Sequence, residues 1–481
     1  MSQPQQYPSL PRESTLAQLP AEYPTDTQDQ ISQILATSTI NRLVVLDDDP
    51  TGTQTCHDIN VLAVWDIPTL TAEFQTNSAG FFILTNSRAL PPKEAETLIK
   101  TICANVSAAA QSTGNKVDIV LRGDSTLRGH FPLETDVAQS VFGPADALVL
   151  APFFFQGGRY TIDDVHYVAE GGQLVPAGST QFAKDATFGY KSSNLRDYVQ
   201  EKAGGRFSGD QLHSVTIDEI RRGGPEAVCE KLLASPAGGV IIVNAAAESD
   251  MHVFVAGLLL AESKGKHFLY RTGAAFVSTR LGIRSKAPIT ATELELPSPR
   301  QTGGLILAGS YVPKTTAQLK VLTDRRGSMG QLAIIEIKVE ELIASPETAE
   351  ETVSRIVRET ESHLSAGTDT LVMTSRKLIT GEDELSSLSI GAVVAEALVS
   401  VLQRIEVRPR YIIAKGGITS SDAATKGLNV KRALIVGQAA PGVPLWRCDE
   451  TTSRHRGVPF VVFPGNVGGE ETLCELVEGW S

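Results

Sequence analysis

The chain has 481 residues, a length that predicts two or three domains rather than one. Its 43 basic and 55 acidic residues give a net charge of −12, which argues against nucleic acid or an anionic membrane as a partner. Five cysteines without CxxC spacing argue against a disulfide framework or a zinc site. Neither a signal peptide nor a membrane-spanning apolar run is recognisable, so a cytoplasmic protein is expected.

The N-terminal residues 1–38 are rich in Gln, Pro, Ser and Thr, a composition typical of a flexible tail or a loosely docked arm. Beyond them, short apolar runs alternate with helical patterns. This alternation predicts an α/β fold of two domains, each a mainly parallel sheet flanked by helices. A segment rich in proline, glycine and polar residues, 294–304, predicts the boundary, which divides the chain into domains 39–295 and 296–481. Predicted strands are Leu43–Leu46, Phe81–Leu84, Asp118–Leu121, Ala147–Leu150, Val240–Val243, Leu305–Ala308, Ala333–Ile337, Thr370–Met373, Tyr411–Ala414 and Ala433–Val436.

Three consecutive aspartates, Asp47, Asp48 and Asp49, follow the first of these strands, and Pro50 and Gly52 then favour a turn. Adjacent carboxylates repel each other, so such a cluster usually serves a metal ion, a basic partner or a proton transfer. A solvated acidic turn is the alternative. Because ligands bind beyond the carboxyl ends of the strands in open α/β sheets, the aspartates indicate a site.

Two further strand ends of the first domain carry polar groups. Thr85-Asn86-Ser87-Arg88 follows the second strand, and Arg122-Gly123-Asp124-Ser125-Thr126 follows the third. The fork of an arginine binds both oxygens of a carboxylate, whereas aspartate and serine suit sugar hydroxyls. A carboxylate beside a hydroxyl can also accept its proton. Any one of these residues could instead cap a helix or form a turn.

Glycine-rich turns follow strands of the second domain, at Ala308-Gly309-Ser310, Lys415-Gly416-Gly417-Ile418-Thr419 and Phe463-Pro464-Gly465. Glycine lets the backbone approach a phosphate closely. An ordinary strand-to-helix turn is an equal alternative for each loop. The GxxxxGK[ST] motif is missing from the sequence, so the chain is not a P-loop enzyme.

Taken in order, these motifs resemble the four-carbon acid sugar kinase family, which phosphorylates threonate, erythronate and oxo-tetronate type acids with ATP. The resemblance covers nearly the whole chain after the N-terminal segment. It rests on an ordered series of motifs: Asp48-Asp49-Pro50-Thr51-Gly52, Thr85-Asn86-Ser87-Arg88-Ala89-Leu90, Arg122-Gly123-Asp124-Ser125-Thr126-Leu127-Arg128-Gly129, Ala151-Pro152, Gly158-Arg159, Ala308-Gly309-Ser310, Gly416-Gly417-Ile418-Thr419-Ser420, Pro441-Gly442-Val443-Pro444 and Gly465-Asn466-Val467-Gly468-Gly469.

The resemblance implies an N-terminal domain that binds the acid sugar, a C-terminal domain that binds ATP, and an active site in the cleft between them. Mg²⁺ is the expected partner of ATP, with its protein ligands left open, and homo-oligomer formation also stays open. The implied substrate-binding residues are Asp48, Asp49, Arg88, Arg122, Gly123, Asp124 and Ser125. The implied nucleotide-binding residues are Ser310, Gly416, Gly417, Ile418, Thr419 and Gly465.

The reaction that we expect is transfer of the terminal phosphoryl group of ATP to a terminal hydroxyl, with Asp124 or Asp48 as the base. Arg88 and Arg122 are expected to clamp the carboxylate of the substrate. Two positions depart from the family pattern: Arg122 stands in place of the usual lysine, and Ile418 in place of the usual glutamate. They indicate a divergent branch, whose acid substrate the sequence does not identify.

Two other functions are compatible with parts of the sequence. Asp47-x-Asp49-x-Thr51 matches the nucleophile loop of haloacid-dehalogenase-type phosphatases, in which Asp47 would attack phosphate and Asp49 would act as acid and base. This alternative lacks a convincing later lysine and acidic pair, and it leaves the C-terminal half unexplained. A non-catalytic acid-sugar sensor is the third hypothesis, and the isoleucine at position 418 is its only support.

Overall fold

The computed structural model describes residues 5–37, 40–309, 312–375 and 384–481. Contacts divide the chain into two units. Unit 1 comprises Met1–Thr55 and Val64–Ser285, and unit 2 comprises Cys56–Ala63 and Lys286–Ser481. The main division therefore comes before the expected boundary at residues 295/296. A short early segment also belongs to unit 2, because its strand pairs with a strand of that unit.

The elements alternate as the sequence predicts, and every predicted strand overlaps an observed one. The strands are β1 (Leu10–Pro11), β2 (Arg42–Asp47), β3 (Ile59–Leu62), β4 (Gly80–Leu84), β5 (Val117–Arg122), β6 (Ala147–Ala151), β7 (Arg159–Ile162), β8 (Val165–Glu170), β9 (Gln173–Pro176), β10 (Leu212–Val215), β11 (Gly239–Val243), β12 (Phe268–Thr272), β13 (Leu305–Ala308), β14 (Leu332–Ile337), β15 (Asp369–Thr374), β16 (Ile412–Lys415), β17 (Arg432–Ala440), β18 (Val443–Arg447) and β19 (Pro459–Phe463). The helices are α1 (Arg12–Ala17), α2 (Gln28–Thr37), α3 (Ile67–Phe74), α4 (Pro92–Thr113), α5 (Leu133–Phe142), α6 (Leu195–Lys202), α7 (Gly224–Leu233), α8 (Glu248–Ser263), α9 (Ala274–Arg280), α10 (Pro313–Leu322), α11 (Val339–Ala344), α12 (Pro346–Ser365), α13 (Glu384–Arg404), α14 (Gly417–Asp422) and α15 (Thr472–Trp480).

The main sheet of unit 1 is parallel, with the strand order β10-β11-β6-β12-β5-β2-β4. Its strands are rich in Val, Leu, Ile and Phe and almost fully buried, as expected for a sheet covered by helices on both faces. Asp47 pairs with Arg122 across β2 and β5, and Arg122 pairs with Thr272 across β5 and β12. This register brings the carboxyl ends of the central strands together, and the loops that follow them lie at one edge of the sheet.

A second, antiparallel sheet of unit 1 has the order β1-β9-β8-β7, and the sequence analysis did not predict it. Two-residue loops join its strands: Asp163–Asp164 between β7 and β8, and Gly171–Gly172 between β8 and β9. All four loop residues have positive φ, the conformation that tight hairpins need and that glycine and aspartate tolerate. These dipeptides were the available signal for the two hairpins.

The described residues of the N-terminal segment dock on the rest of unit 1. Leu10 pairs with Leu174 of β9, and the Pro20 carbonyl accepts a hydrogen bond of 2.7 Å from the Arg221 guanidinium. Ile31 of α2 is buried, and α2 packs against α8. Main-chain pairing, the hydrogen bond to Pro20 and the buried side chain of Ile31 therefore hold the described part of this segment in place.

The sheet of unit 2 has the order β3-β17-β18-β19-β16-β13-β15-β14. It is parallel from β19 to β14, whereas the pairings of β17 with β3 and β18 and of β18 with β19 are antiparallel. Ile306, Tyr411, Phe463 and Trp480 belong to its core. Among the described residues of both units, no helix combines the length and the apolar character that crossing a membrane requires.

Candidate functional site

The first buried pair of the candidate site joins Asp47 to Arg122. Arg122 Nη1 donates a hydrogen bond of 3.1 Å to Asp47 Oδ1, and both side chains are buried. Burial raises the pKa of Asp47 to about 7, although the charge of Arg122 opposes that shift. Gly52 packs directly on this carboxylate, since a Cβ atom there would lie 2.1 Å from Asp47 Oδ2. Asp47 is therefore an internal group, closed off by the turn that follows it.

Asp48 lies between two guanidinium groups. Its side chain is 3% exposed, and its oxygens lie 3.9 Å from Arg122 Nη1 and 3.9 Å from Arg271 Nη2. Neither oxygen accepts a hydrogen bond from any residue that the structure describes. Arg271 Nη1 also donates a hydrogen bond of 3.3 Å to Glu134 Oε2, which is buried as well. A buried inner layer of the site thus pairs acidic with basic side chains near the ends of β2, β5 and β12. Its members are Asp47, Asp48, Arg122, Arg271 and Glu134.

An outer layer connects Asp49, Arg88 and Asp124. Arg88 forms an ion pair with Asp49, and its Nη1 lies 3.7 Å from Asp124 Oδ1. Burial alone would lower the pKa of Arg88, but the nearby carboxylates raise it above its usual value. Burial would likewise raise the pKa of Asp49, yet Arg88 and a hydrogen bond from Thr51 lower it. Both groups are therefore charged at neutral pH.

Asp124 is partly accessible, with 13% of its side chain exposed, compared with 18% for Asp49 and 3% for Asp48. Its Oδ2 accepts hydrogen bonds from Arg128 Nε, at 2.6 Å, and from the Thr126 hydroxyl. Burial acts to raise the pKa of Asp124, but Arg128 and Arg88 outweigh it and hold that pKa well below its usual value. The result is an ionised carboxylate held between two partly exposed guanidinium groups.

The predicted substrate-binding residues of unit 1 thus lie together at one edge of the sheet. Gly123 packs against Arg271, because a Cβ atom there would lie 2.3 Å from Arg271 Cζ, and the main chain of Ser125 continues the same loop. From the sequence, Arg128 received no role, and Arg271 and Glu134 were not recognised as part of the site. Arg128 lies within one of the family motifs, and Arg271 is the penultimate residue of the apolar strand β12, so a position near a strand end was the available signal.

Unit 2 has its own cluster at the ends of β13, β16 and β19, which pair in parallel register. Lys415 ends β16 and is fully buried. Its Nζ donates a hydrogen bond of 2.6 Å to the Pro464 carbonyl and lies 4.0 Å from the centre of the Phe463 ring. Burial, together with the charge of Lys314, lowers the pKa of Lys415 to about 7. Lys415, whose pKa lies near neutral pH, therefore links the glycine turn that follows β16 to the turn that follows β19.

The glycine turns themselves converge. Gly416 has a φ of 116° and its amide donates a hydrogen bond of 2.8 Å to the Phe463 carbonyl, while Gly417 begins α14. A Cβ atom on Gly309 would lie 3.2 Å from the Thr419 hydroxyl oxygen. The Gly465 carbonyl accepts a hydrogen bond of 3.2 Å from the Thr315 hydroxyl. The predictions for Ser310 and for the side chain of Ile418 lie outside the described part of the chain.

The two clusters differ in the ligands that they suit. Guanidinium and carboxylate groups of unit 1 match a small molecule with a carboxylate and hydroxyls. Glycine backbone and a buried ammonium group in unit 2 match phosphate oxygens. Across residues 5–37, 40–309, 312–375 and 384–481, no group of three or more His, Cys, Asp or Glu side chains is arranged to hold a metal ion.

Solved structures share this fold. A Salmonella typhimurium LT2 protein, described as a candidate tRNA synthase, superposes with a TM-score of 0.65 at 16% identity, over 90% of this chain and 98% of its own. A Haemophilus influenzae protein of the family DUF1537 superposes with a TM-score of 0.57 at 18% identity, over 91% of this chain and 99% of its own. At such identities the likeness shows the fold alone. No curated protein matches the chain.

Family models match both parts of the chain. Residues 43–280 match a sugar-binding N-terminal domain, and residues 305–473 match a nucleotide-binding C-terminal domain. The first range contains the guanidinium–carboxylate cluster, and the second contains the lysine and the glycine turns. The chain belongs to the DUF1537 four-carbon acid sugar kinase family, whose architecture joins these two domains.

Proposed function

We propose that the protein is an ATP-dependent kinase that phosphorylates a terminal hydroxyl of a four-carbon acid sugar of the threonate, erythronate or 3-oxo-tetronate type. One observation carries the proposal. The Asp49–Arg88–Asp124–Arg128 chain of charges lies at the strand ends of the sugar-binding domain, in a protein that also has a nucleotide-binding domain. The expectation that both substrates meet in a cleft between the domains stays a prediction.

The carboxylate of the acid would bind the outer guanidinium groups. Arg88 is 18% exposed and Arg128 is 26% exposed, and both flank Asp124. Arg122 is 5% exposed and contacts Asp47, so the clamp predicted from the sequence is better formed by Arg88 with Arg128. Arg122 would act indirectly, because it balances the buried aspartates beneath the site. Gly123 and Ser125 would contribute main-chain contacts from the same loop.

Asp124 would orient the attacking hydroxyl and accept its proton. It is ionised at neutral pH and is the more accessible of the two aspartates considered, whereas both Asp48 oxygens are buried. A positioned base of this kind contributes about 10²–10⁴-fold to the rate. The lowered pKa of Asp124 suits phosphoryl transfer, in which alignment and charge neutralisation matter more than early proton removal. Asp48 and Asp49 would support the site through Arg271 and Arg88.

The nucleotide phosphates would bind the turns of unit 2. Lys415 would supply positive charge, and Gly416, Gly417, Thr419 and Gly465 would supply close backbone and hydroxyl contacts. Bound Mg²⁺ would neutralise charge on the transferred phosphoryl group. The proposal assigns no protein ligand to the metal.

The two alternatives receive less support. A phosphatase nucleophile must reach its phosphate, but Asp47 is buried beneath Gly52 and bound to Arg122. A non-catalytic sensor rests on the isoleucine at position 418, whose side chain is not described.

The test is a coupled ADP-release assay with Mg-ATP and a panel of four-carbon sugar acids, followed by phosphorus NMR of the product. A kinase gives ADP release that depends on one or a few acids, together with a phosphomonoester signal. No release with any acid, alongside hydrolysis of a generic phosphomonoester, would favour the phosphatase. Binding of an acid without either reaction would favour the sensor.

A further inference from the structure

The loop between β5 and α5, which carries Asp124, has an unusual main-chain conformation at Leu127. The Leu127 amide donates a hydrogen bond of 3.0 Å to the Asp124 carbonyl, which closes a tight turn. Leu127 itself has a φ of 70°, a left-handed conformation that costs energy for a residue other than glycine. Such a conformation persists only where surrounding contacts fix it.

Three consecutive carbonyls of this loop accept hydrogen bonds from buried side chains. His166 Nε2 lies 2.7 Å from the Ser125 carbonyl oxygen. The Tyr190 hydroxyl donates a bond of 2.7 Å to the Thr126 carbonyl, and the Tyr198 hydroxyl donates a bond of 2.8 Å to the Leu127 carbonyl. Each donor comes from a different segment: β8, the chain before α6, and α6 itself. A buried carbonyl without a donor is costly, so these three bonds define the path of the loop.

The chemical state of each donor is fixed by burial. Burial lowers the pKa of His166 to about 4, so the ring is neutral at physiological pH. A carbonyl can only accept, and therefore Nε2 carries the proton, while Nδ1 accepts from the Thr161 hydroxyl at 3.0 Å. Burial also raises the pKa of both tyrosines, which keeps the two phenols protonated. All three groups are thus permanent donors toward the loop.

We propose that His166, Tyr190 and Tyr198 are positioning residues that set the placement of Asp124 for phosphoryl transfer. This inference rests on the proposed kinase activity, and it identifies the residues that would hold Asp124 in place for that reaction. It also gives a role to the antiparallel sheet, because His166 lies on β8 and is held there through Thr161 of β7. The rings reinforce one another, since Tyr198 packs edge-on against Tyr190 with centroids 5.5 Å apart.

The experiment compares Tyr190→Phe, Tyr198→Phe, His166→Leu and His166→Gln with the wild type. Loss of one buried hydrogen bond to the loop is expected to lower kcat about tenfold, while the KM for ATP changes less than about twofold. A glutamine can place an amide donor near the position of Nε2, so His166→Gln should recover most of the activity that His166→Leu loses. A purely structural role would not give this split or this rescue.

Tyr160→Phe is the matched control, because Tyr160 is equally buried on β7 but contacts Phe153 rather than the loop. Amide hydrogen exchange supplies a readout that needs no activity. Exchange in residues 124–129 should accelerate about tenfold in Tyr198→Phe and stay unchanged in Tyr160→Phe. Wild-type kcat and wild-type exchange in both tyrosine variants would overturn the inference and leave the proposed function intact. A wild-type protein without kinase activity would overturn the proposed function. The exchange measurement would still show whether Tyr198 holds the loop of Asp124 in place.

Discussion

Arg122 Nη1 lies 3.1 Å from Asp47 Oδ1 at the ends of neighbouring strands, and Gly52 closes over the same carboxylate. This pair also contacts the next carboxylate of the site, because Arg122 Nη1 lies 3.9 Å from Asp48 Oδ1. The three consecutive aspartates therefore fall into two groups that differ in burial. Asp47 and Asp48 act inside the fold, whereas Asp49 reaches the outer layer through Arg88.

Gly52→Ala should destabilise unit 1. The new methyl group would lie 2.1 Å from Asp47 Oδ2, so the turn or the ion pair must move. Overpacking of this kind costs about 1–3 kcal/mol in the free energy of unfolding. Urea denaturation measures it. Gly209→Ala is the control, because a Cβ atom there would meet nothing within 4 Å. Equal stabilities of the two variants would show that the turn is not packed on Asp47.

Asp47 should make stability depend on pH. The fold raises the pKa of Asp47 from 3.8 to about 7, so the folded state holds the proton more tightly than the unfolded state. Its contribution to stability is therefore complete below about pH 4 and is lost as the pH rises to 7. Relative to Asp47→Asn, the wild type should lose up to about 1.4 kcal/mol per pH unit between pH 5 and 7. A constant difference from pH 5 to 8 would contradict the raised pKa.

Lys415 should couple ATP binding to proton uptake. Its pKa of about 7 leaves much of the lysine neutral at pH 8, and phosphate oxygens favour the charged form. Calorimetry in buffers of different ionisation enthalpy should detect uptake of a fraction of a proton, and ATP affinity should fall above pH 7. Lys415→Met should abolish this uptake and weaken ATP binding. The exposed Lys426→Met is the control. Unchanged ATP affinity in Lys415→Met would remove Lys415 from the phosphate site.

Arg88→Gln should raise the KM for the acid and leave the KM for ATP nearly unchanged. The variant loses the cation that joins Asp49 to Asp124 and faces the substrate in the proposed site. A lost charged hydrogen bond costs about 1.5–3 kcal/mol, or roughly 10–150-fold in affinity. Steady-state kinetics with each substrate varied in turn measures both constants. Arg206→Gln, in the exposed pair with Asp136, is the matched control. A rise confined to the KM for ATP would place Arg88 outside the acid site.

Strand ends account for what the sequence could predict. Asp47, Arg88 and Asp124 each follow a buried apolar run, and parallel register alone brings such residues to one edge. Arg271 was not recognised as a site residue, because its strand, β12, was not predicted from the sequence. Tyr190 and Tyr198 could not be found this way, since they reach the loop from segments 64 and 71 residues away. No local pattern encodes a tertiary contact of that range.

The most direct test of the account is single-turnover ADP formation by Asp124→Asn with saturating Mg-ATP and the best acid of the panel. We predict that the phosphoryl-transfer rate falls about 10²–10⁴-fold, while ATP affinity and stability stay close to those of Asp136→Asn, an exposed control. Transfer at the wild-type rate in Asp124→Asn would contradict the assignment of Asp124 to the reacting hydroxyl.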